Sequence, residues 1–204
     1  MTEKYKLIYF NVTGLAEPIR YLFAYGKIPY EDCRLEYEEW LRYKPETPFG
    51  QIPVLEINDK PINQSVAICR YLGKRLNLTG SSDWDSFLID SVVDTITDFR
   101  LNYACYFGLK TEEEKESKLN EIKNVHNPYY LERLEKIALK NGGYFVNNQL
   151  TWADIFFSGL SDLWIKLIKE PILMSYPTLK SLKMKVESEP NIKTYLDKRP
   201  ETVY

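Results

Sequence analysis

The N-terminal part of the chain combines short apolar stretches with turn signals that predict a small sheet. Residues 5–10, YKLIYF, form an apolar run typical of a strand, and residues 30–36, YEDCRLE, alternate as a second strand would. The polar, proline-containing segment that follows predicts a loop as far as Gly50. The stretches IPVLEI and KPIN then flank Asn58 and Asp59, which tolerate the left-handed backbone of a tight hairpin turn.

Helices are predicted after the first strand and after the hairpin. Glu17 and Pro18 open the first helix, and Gly26 ends it. Gln64 and Ser65 begin the second helix, whose apolar residues recur at helical spacing. The predicted order is βαβ, then ββ, then α, which is compatible with a mixed sheet of the thioredoxin kind.

The rest of the chain reads as helical. A polar linker, LTGSS at 78–82, precedes a long helix predicted over about 84–107. Capping and first-turn signals mark further helix starts at Thr111, Thr151, Pro177 and Pro190. We therefore predict a thioredoxin-like α/β domain over residues 3–80 and an all-α helical domain over residues 82–204.

Composition and charge narrow the function classes. Of the 204 residues, 44% are hydrophobic and 27% are charged, which supports a folded core and excludes wholesale disorder. Lys plus Arg number 27 and Asp plus Glu 29, so the chain lacks the basic field that nucleic-acid binding needs. No apolar run approaches the roughly 18 residues of a membrane span. We expect neither nucleic acid nor a membrane as partner.

The cysteines and the histidine limit the redox and metal chemistry. Cys33, Cys69 and Cys105 are odd in number, which suits a reducing compartment better than a disulfide framework. The opening residues show no signal peptide, so we expect a cytoplasmic protein. His126 is the single histidine, so a multi-histidine metal site cannot be assembled.

Two features near the predicted sheet could carry chemistry, and each has a plain structural alternative. Tyr9 ends the first strand on the same face as Tyr5, so its hydroxyl either faces a cleft or packs against a carbonyl. Pro53 lies inside a strand pattern, so it is either an ordinary edge proline or a cis proline that exposes the backbone of Ile52.

Two helix features are equally open to a functional or a structural interpretation. The helix start at Gln64 and Ser65 offers free amide N–H groups that either cap the helix or bind an anion. Aspartates recur on one face of the long helix, where they face either solvent or cations across an interface. Arg70 and Arg75 are candidate counter-ions from a second subunit. The aspartates are Asp90, Asp94 and Asp98.

Missing motifs exclude two further activities. The loop after the first strand reads NVTG, so the Cys-x-x-Cys pair of a dithiol oxidoreductase is absent there. The chain also lacks a Gly-rich nucleotide loop.

These stretches together resemble the cytosolic glutathione transferases, and specifically the sigma class, which includes the haematopoietic prostaglandin D synthases. The resemblance runs from end to end and implies a thioredoxin-like domain followed by a helical domain. It covers YKLIYF, EPIRYLFAY, PFGQIPVLEI, NQSVAICRYL, VDTITDF, NGGYFVNNQLTWAD and YPTLKSLKMKVESEPNIKTYLDKRP.

The resemblance implies a role for each matching residue. Tyr9 is similar to the catalytic tyrosine that donates a hydrogen bond to the glutathione sulfur. Asp98 is similar to the acid that reaches the γ-glutamyl amine from the other subunit of a homodimer. The remaining glutathione-binding positions are Trp40 and Lys44 for the glycine carboxylate, Gln51, Ile52 and the cis proline Pro53 for the cysteinyl backbone, and Gln64 and Ser65 for the γ-glutamyl carboxylate.

The resemblance also implies an electrophile pocket, and two positions depart from the prostaglandin D synthases. Those relatives carry an arginine after the loop glycine, where this chain has Leu15, and an acidic metal cluster that here lacks one carboxylate at Thr97. We therefore expect no metal activation. The expected pocket walls are Phe10, Leu15, Tyr103, Phe107 and Tyr204.

The expected function is conjugation of glutathione, as co-substrate, to hydrophobic electrophiles such as lipid peroxidation products. The first alternative is a glutathione-dependent prostaglandin-H2 D-isomerase, against which Leu15 argues. The second is a non-catalytic, crystallin-like structural or ligand-binding protein, which the presence of the glutathione-site residues disfavours.

Overall fold

The computed structural model describes residues 3–204, and the N-terminal part of this range forms a four-stranded mixed sheet. Its strands are β1 Tyr5–Phe10, β2 Glu31–Leu35, β3 Val54–Ile57 and β4 Lys60–Asn63. They lie in the order β2-β1-β3-β4, with β1 parallel to β2 and the other neighbours antiparallel. The hairpin turn is confirmed, since Asn58 and Asp59 have φ values of 50° and 64°.

Helices accompany the sheet and then make up the rest of the described chain. The first group is α1 Glu17–Tyr25, α2 Tyr37–Tyr43 and α3 Ser65–Arg75. The second group is α4 Asp83–Ala104, α5 Glu112–Glu121, α6 Asn127–Lys140, α7 Trp152–Ile168, α8 Pro177–Ser188 and α9 Pro190–Leu196. The predicted fold class, a thioredoxin-like α/β part followed by a helical part, is confirmed.

The segment predicted as a loop before Gly50 contains the short helix α2, so that prediction was wrong. The helix begins with a capping box in which the N–H of Glu36 donates to the carboxylate of Glu39 at 2.8 Å. Its seven residues bury only Trp40, so the sequence offered no apolar stripe to reveal it.

Helix α7 runs through the centre of the helical part and is buried along nearly its whole length. The predicted start at Thr151 is a buried capping box, because the Asp154 carboxylate accepts from both the N–H and the Oγ1 of Thr151 at 2.7 Å. The same carboxylate accepts from the N–H of Phe145 at 2.9 Å. One side chain therefore ties the preceding loop to the central helix.

A buried ion-pair network joins α1 to the helical part. The Arg199 guanidinium donates to Glu17 of α1 at 2.5 Å and to Asp162 of α7 at 2.7 Å. Lys183 of α8 also donates to Asp162 at 2.5 Å, and the Tyr21 hydroxyl lies 3.2 Å from the same carboxylate. Because these carboxylates are buried, each depends on its cations for stability.

The backbones of α1 and α7 touch at Gly159. A Cβ at this position would lie 2.8 Å from the backbone nitrogen of Pro18, closer than real Cβ contacts come. Glycine is therefore required for this approach, and α1 packs on α7 without an intervening side chain.

Two further findings concern the environment of the chain. Across residues 3–204 the helices are too short or too polar to cross a membrane. Cys33, Cys69 and Cys105 are free thiols that are half-buried, buried and exposed respectively.

Candidate functional site

The strand register gathers several predicted residues at one end of the sheet. Ile8 of β1 lies opposite Val54 of β3, and Val54 lies opposite Asn63 of β4. Residues that follow Ile8, precede Val54 and follow Asn63 therefore lie at the same end of the sheet. The predicted residues gathered there are Tyr9, Phe10, Gln51, Ile52, Pro53, Gln64 and Ser65.

The Tyr9 hydroxyl lies at this end of the sheet, where it is buried and protonated. The side chain is 8% exposed, and its oxygen accepts a hydrogen bond from the N–H of Leu15 at 3.2 Å. Burial raises the pKa of Tyr9 above its ordinary value of about 10, while the Leu15 N–H and the positive charges of Arg20 and Arg100 oppose this rise. The phenol therefore remains a hydrogen-bond donor at neutral pH.

Gly14 allows the loop after β1 to turn tightly over the phenol. Its φ is +47°, and a Cβ added there would lie 2.7 Å from the Tyr9 hydroxyl oxygen. The absence of a side chain at Gly14 therefore leaves the space that the Tyr9 hydroxyl occupies.

An apolar cavity of about 330 Å³ opens beside Tyr9, between the sheet and the helical part. The rings of Phe107 and Tyr204 meet edge to face on its wall, with centroids 5.4 Å apart. Such a space suits an apolar molecule brought next to a polar reacting group. The lining residues are Tyr9, Phe10, Val12, Gly14, Phe107, Leu163 and Tyr204.

Two of the expected pocket walls lie elsewhere. Tyr103 is fully buried in the helical core, and its hydroxyl donates to Asn127 Oδ1 at 2.7 Å. Leu15 does not line the cavity; its backbone N–H serves Tyr9 instead. Phe10, Phe107 and Tyr204 line the cavity as expected.

The last residues of the described chain are held across the cavity by hydrogen bonds. The N–H of Thr13 donates to the carbonyl of Tyr204 at 2.8 Å. Lys166 of α7 donates to the carbonyl of Thr202 at 3.0 Å. These bonds position the Tyr204 ring on the wall.

Trp40 belongs to α2, and Lys44 caps the C-terminal end of that helix. Trp40 is 9% exposed and meets the ring of Phe10 edge to face at 5.8 Å. Lys44 is exposed and runs beside Gly50, the neighbour of Gln51. Lys44 therefore borders the loop that leads into β3, and Trp40 packs against the last residue of β1.

The start of α3 is open to an anion. Gln64, the N-cap residue, has φ +74°, and its side chain makes no capping hydrogen bond. The first-turn N–H groups and the nearly buried Ser65 hydroxyl therefore stand at the positive end of the helix dipole. The Ile52–Pro53 bond beside it is cis.

The predicted aspartate stripe is only partly explained by the single chain. Arg70 pairs with Asp90 at 2.9 Å, and Arg75 pairs with Glu3, so both arginines have partners within their own chain. Asp94 and Asp98 are exposed on α4. Asp98 shares no side-chain hydrogen bond with the other predicted site residues of the described chain.

Metal ligands are not clustered in the part of the chain that the structure describes. Among residues 3–204, no group of three or more His, Cys, Asp or Glu side chains could hold an ion.

Sequence reasoning missed four residues at this site. Val12, Gly14 and Leu163 line the cavity, and Arg100 of α4 places its positive charge near Tyr9. A signal existed for one of them, because Gly14 is the turn residue of the NVTG loop.

The chain matches known proteins over its whole length. Residues 5–74 match the family described as "Glutathione S-transferase, N-terminal domain", and residues 97–199 match "Glutathione S-transferase, C-terminal domain". A glutathione S-transferase of Anopheles gambiae is 43% identical, covering 97% of this chain and 98% of the relative.

Relatives described as prostaglandin synthases match as well. A haematopoietic prostaglandin D synthase of Rattus norvegicus is 39% identical, over 97% of this chain and 98% of the relative. A solved structure of a prostaglandin synthase D of Nilaparvata lugens superposes with a TM-score of 0.94 at 39% identity, covering 98% and 100% of the two chains.

Proposed function

The chain belongs to the glutathione S-transferase family, and we propose that it joins the glutathione thiolate to hydrophobic electrophiles, lipid peroxidation products among them. The observation that carries this proposal is the buried Tyr9 hydroxyl, held beside an apolar cavity. Relatives of both kinds, transferases and prostaglandin synthases, support assignment to the sigma class.

The tripeptide would lie across this end of the sheet, with its thiol at Tyr9. The open N–H groups of α3 and the Ser65 hydroxyl suit the γ-glutamyl carboxylate, with Gln64 beside them. Gln51, Ile52 and Pro53 would pair with the cysteinyl backbone, as an added strand does.

The other end of the tripeptide would be held by a residue of α2 and by the residue that caps its C-terminal end. The Lys44 ammonium supplies positive charge for the glycine carboxylate, and the Trp40 indole supplies one N–H donor. The glutathione thiol would then be placed beside the Tyr9 hydroxyl.

The Tyr9 hydrogen bond accounts for most of the activation that the reaction needs. A free thiol has a pKa near ~8.5, so only a few per cent of it is thiolate at neutral pH. Lowering that pKa by about two units takes roughly 2.7 kcal/mol. A hydrogen bond to a charged group contributes about 1.5–3 kcal/mol. The thiolate sulfur then forms a bond to the electrophile held in the cavity. In a substitution the leaving group takes the displaced electron pair, and in an addition the far atom of the electrophile's double bond takes it.

A calorimetric titration with glutathione, combined with the conjugation rate of 1-chloro-2,4-dinitrobenzene, tests this function. We expect one saturable site per chain and product formation above the uncatalysed rate. Ser65→Ala should weaken glutathione binding about three- to tenfold, since it removes one hydrogen bond. Ser188→Ala, on an exposed helix end, is the matched control. Binding without any conjugation would favour the storage or structural function instead.

A glutathione-dependent prostaglandin-H2 D-isomerase is the second candidate function, favoured by the match to the Nilaparvata lugens structure. Leu15 argues against it, because the position offers no cation to an acidic substrate. Product analysis with prostaglandin H2 and glutathione separates the two functions.

We also propose that the protein is a cytosolic homodimer whose domains, residues 3–80 and 82–204, meet at Ser81. The free cysteines suit the reducing cytosol. The domain boundary is placed at Ser81 because the next residue, Ser82, begins α4 by accepting from the Asp85 N–H at 3.1 Å. Exposed Asp98 would reach the γ-glutamyl amine of the partner subunit's glutathione. The large exposed apolar side chains available for an interface include Phe49, Trp84 and Phe87.

Sedimentation velocity at micromolar concentration tests the dimer. We expect a mass about twice the 24.1 kDa of one chain. Asp98→Ala should weaken glutathione binding several-fold by removing one ion pair across the interface, while Asp94→Ala, one turn away, should not. If the protein is a monomer and still binds glutathione tightly, Asp98 does not belong to the site.

A further inference from the structure

The residues after Arg199 form a short extended segment that ends at the cavity, which we call the tail strap (residues 200–204). It contains neither helix nor strand, and the side chain of Val203 is 82% exposed. Within the tail strap, Tyr204 lines the cavity, where its ring meets that of Phe107. The hydrogen bonds to the tail strap are therefore important for keeping the Tyr204 ring on the cavity wall.

The start of the tail strap is anchored firmly. Arg199, which precedes it, is paired with Glu17 of α1 and with Asp162 of α7. Both carboxylates are buried, so breaking these ion pairs is costly. Movement of the tail strap would therefore begin at its far end, at Thr202 and Tyr204.

Lys166 of α7 holds that far end. Its ammonium donates to the Thr202 carbonyl at 3.0 Å and to the Thr202 Oγ1 at 2.9 Å. The Thr202 Oγ1 in turn donates to the Tyr204 carbonyl at 2.6 Å, and the same carbonyl accepts from the Thr13 N–H at 2.8 Å. One ammonium is thus linked, through one threonine, to the residue whose ring lies on the cavity wall.

Within the described chain, the Lys166 ammonium has these two Thr202 oxygens as its partners and no carboxylate. Asp162, one turn earlier on α7, is paired with Arg199 and with a lysine of α8 instead. Lys166 is half-buried and lies one turn after Leu163, which lines the cavity. Because hydrogen bonds from charged donors are the stronger ones, this ammonium is well placed to hold the tail strap.

We propose that Lys166 is a positioning residue that sets electrophile specificity by holding the tail strap against the cavity. This role rests on the proposed transferase function and deepens it. While the tail strap is held, the cavity of about 330 Å³ favours compact apolar electrophiles that pack against the Tyr204 ring. When the tail strap lifts, the ring leaves the wall, so bulky electrophiles gain room and compact ones lose a contact.

Conjugation of a compact and a bulky electrophile, 1-chloro-2,4-dinitrobenzene and bromosulfophthalein, tests this role in Lys166→Met. Methionine keeps most of the side-chain length but removes the donors. The KM for the compact electrophile should rise about three- to tenfold, as expected for the loss of one hydrogen bond. The KM for the bulky electrophile should fall or stay constant, and the KM for glutathione should not change. Lys140→Met, at the exposed end of α6, is the matched control.

Thr202→Val tests the link between Lys166 and the ring. Valine keeps the shape of threonine but removes the Oγ1 that joins the ammonium to the Tyr204 carbonyl. In the Lys166→Met background the same substitution should change the KM for the compact electrophile less than it does in wild type, because the two residues act through a shared contact. Effects that multiply independently would overturn the proposed link.

Hydrogen exchange at the Thr13 amide reports the position of the tail strap without any reaction. This N–H donates to the Tyr204 carbonyl, so it is protected from exchange while the tail strap is held. Without glutathione, the amide should exchange about three- to tenfold faster in Lys166→Met than in wild type, and Lys140→Met should match wild type. Faster exchange throughout the core would indicate a general loss of stability and would overturn the proposal.

The proposal and the function beneath it fail in different ways. If wild type conjugates both electrophiles but Lys166→Met leaves Thr13 exchange and the KM values unchanged, the role of Lys166 is overturned and the transferase stands. If Thr13 exchange rises in Lys166→Met but wild type conjugates neither electrophile, the transferase function is overturned, while the hold of Lys166 on the tail strap stands.

Discussion

Replacing Tyr9 with phenylalanine should lower kcat/KM for glutathione conjugation by about one to two orders of magnitude. The variant keeps the ring in its place but removes the hydroxyl that accepts from Leu15 and faces the cavity. The lost hydrogen bond to the thiolate is worth about 1.5–3 kcal/mol, and each 1.4 kcal/mol is a factor of ten. The thiol pKa of bound glutathione should rise toward the free value.

The measurement is thiolate absorbance together with steady-state kinetics at several pH values. Glutathione affinity should change little, because the tripeptide's carboxylates are expected to bind elsewhere. Tyr5→Phe is the matched control: Tyr5 lies on the same strand face, and its hydroxyl donates to Glu3 at 2.6 Å, away from the cavity. Equal thiol pKa values in wild type and Tyr9→Phe would show that activation does not depend on this hydroxyl.

Replacing Asp154 with alanine should lower the free energy of unfolding by about 3 to 5 kcal/mol. The carboxylate is fully buried and accepts three hydrogen bonds, two from Thr151 and one from Phe145. Burial raises its pKa to about 6, so it is ionised at neutral pH and its hydrogen bonds are charge-assisted. Alanine would leave the buried donors without partners.

Urea unfolding at neutral pH measures this effect. Glu114→Ala is the matched control, because Glu114 completes the same kind of capping box with Thr111 on the exposed start of α5. The control should lose about 1 kcal/mol or less. If Asp154→Ala loses as little unfolding free energy as the control, the Asp154 carboxylate acts only as a helix cap and does not hold the loop at Phe145.

The sheet could be predicted from the sequence because each of its signals is local. Strand periodicity placed Tyr9 at the end of β1, and Asn58 with Asp59 identified the hairpin turn. Helix α2 was missed because it is short and buries only Trp40, so its amphipathic pattern is too weak to recognise.

The cavity walls were harder to predict because they depend on how helices rotate against one another. Tyr103 and Phe107 are four residues apart, which in a continuous α-helix would place both on one face. Helix α4 ends at Ala104 and a 3₁₀ turn follows, so the two rings point to different places: Tyr103 into the core and Phe107 onto the cavity wall.

The half-buried position of Arg100 could not be predicted from the sequence, because an arginine in a helix is usually solvated. Only the packing of α4 against its neighbours leaves its Nε buried and without a hydrogen-bond partner among residues 3–204. The candidate site is thus divided: Tyr9 follows from a local pattern, while the cavity walls follow from tertiary structure.

The ion-pair network between α1 and the helical part bears on how the molecule folds. Arg199 bridges Glu17 and Asp162, and Gly159 brings the two helix backbones into contact. If the halves came apart, buried Glu17 would lose Arg199, Asp162 would lose the Tyr21 hydroxyl, and both cores would be exposed at once. The sheet and the helices should therefore form one cooperative folding unit, in which an early-folding half gains its full stability only when the other has docked.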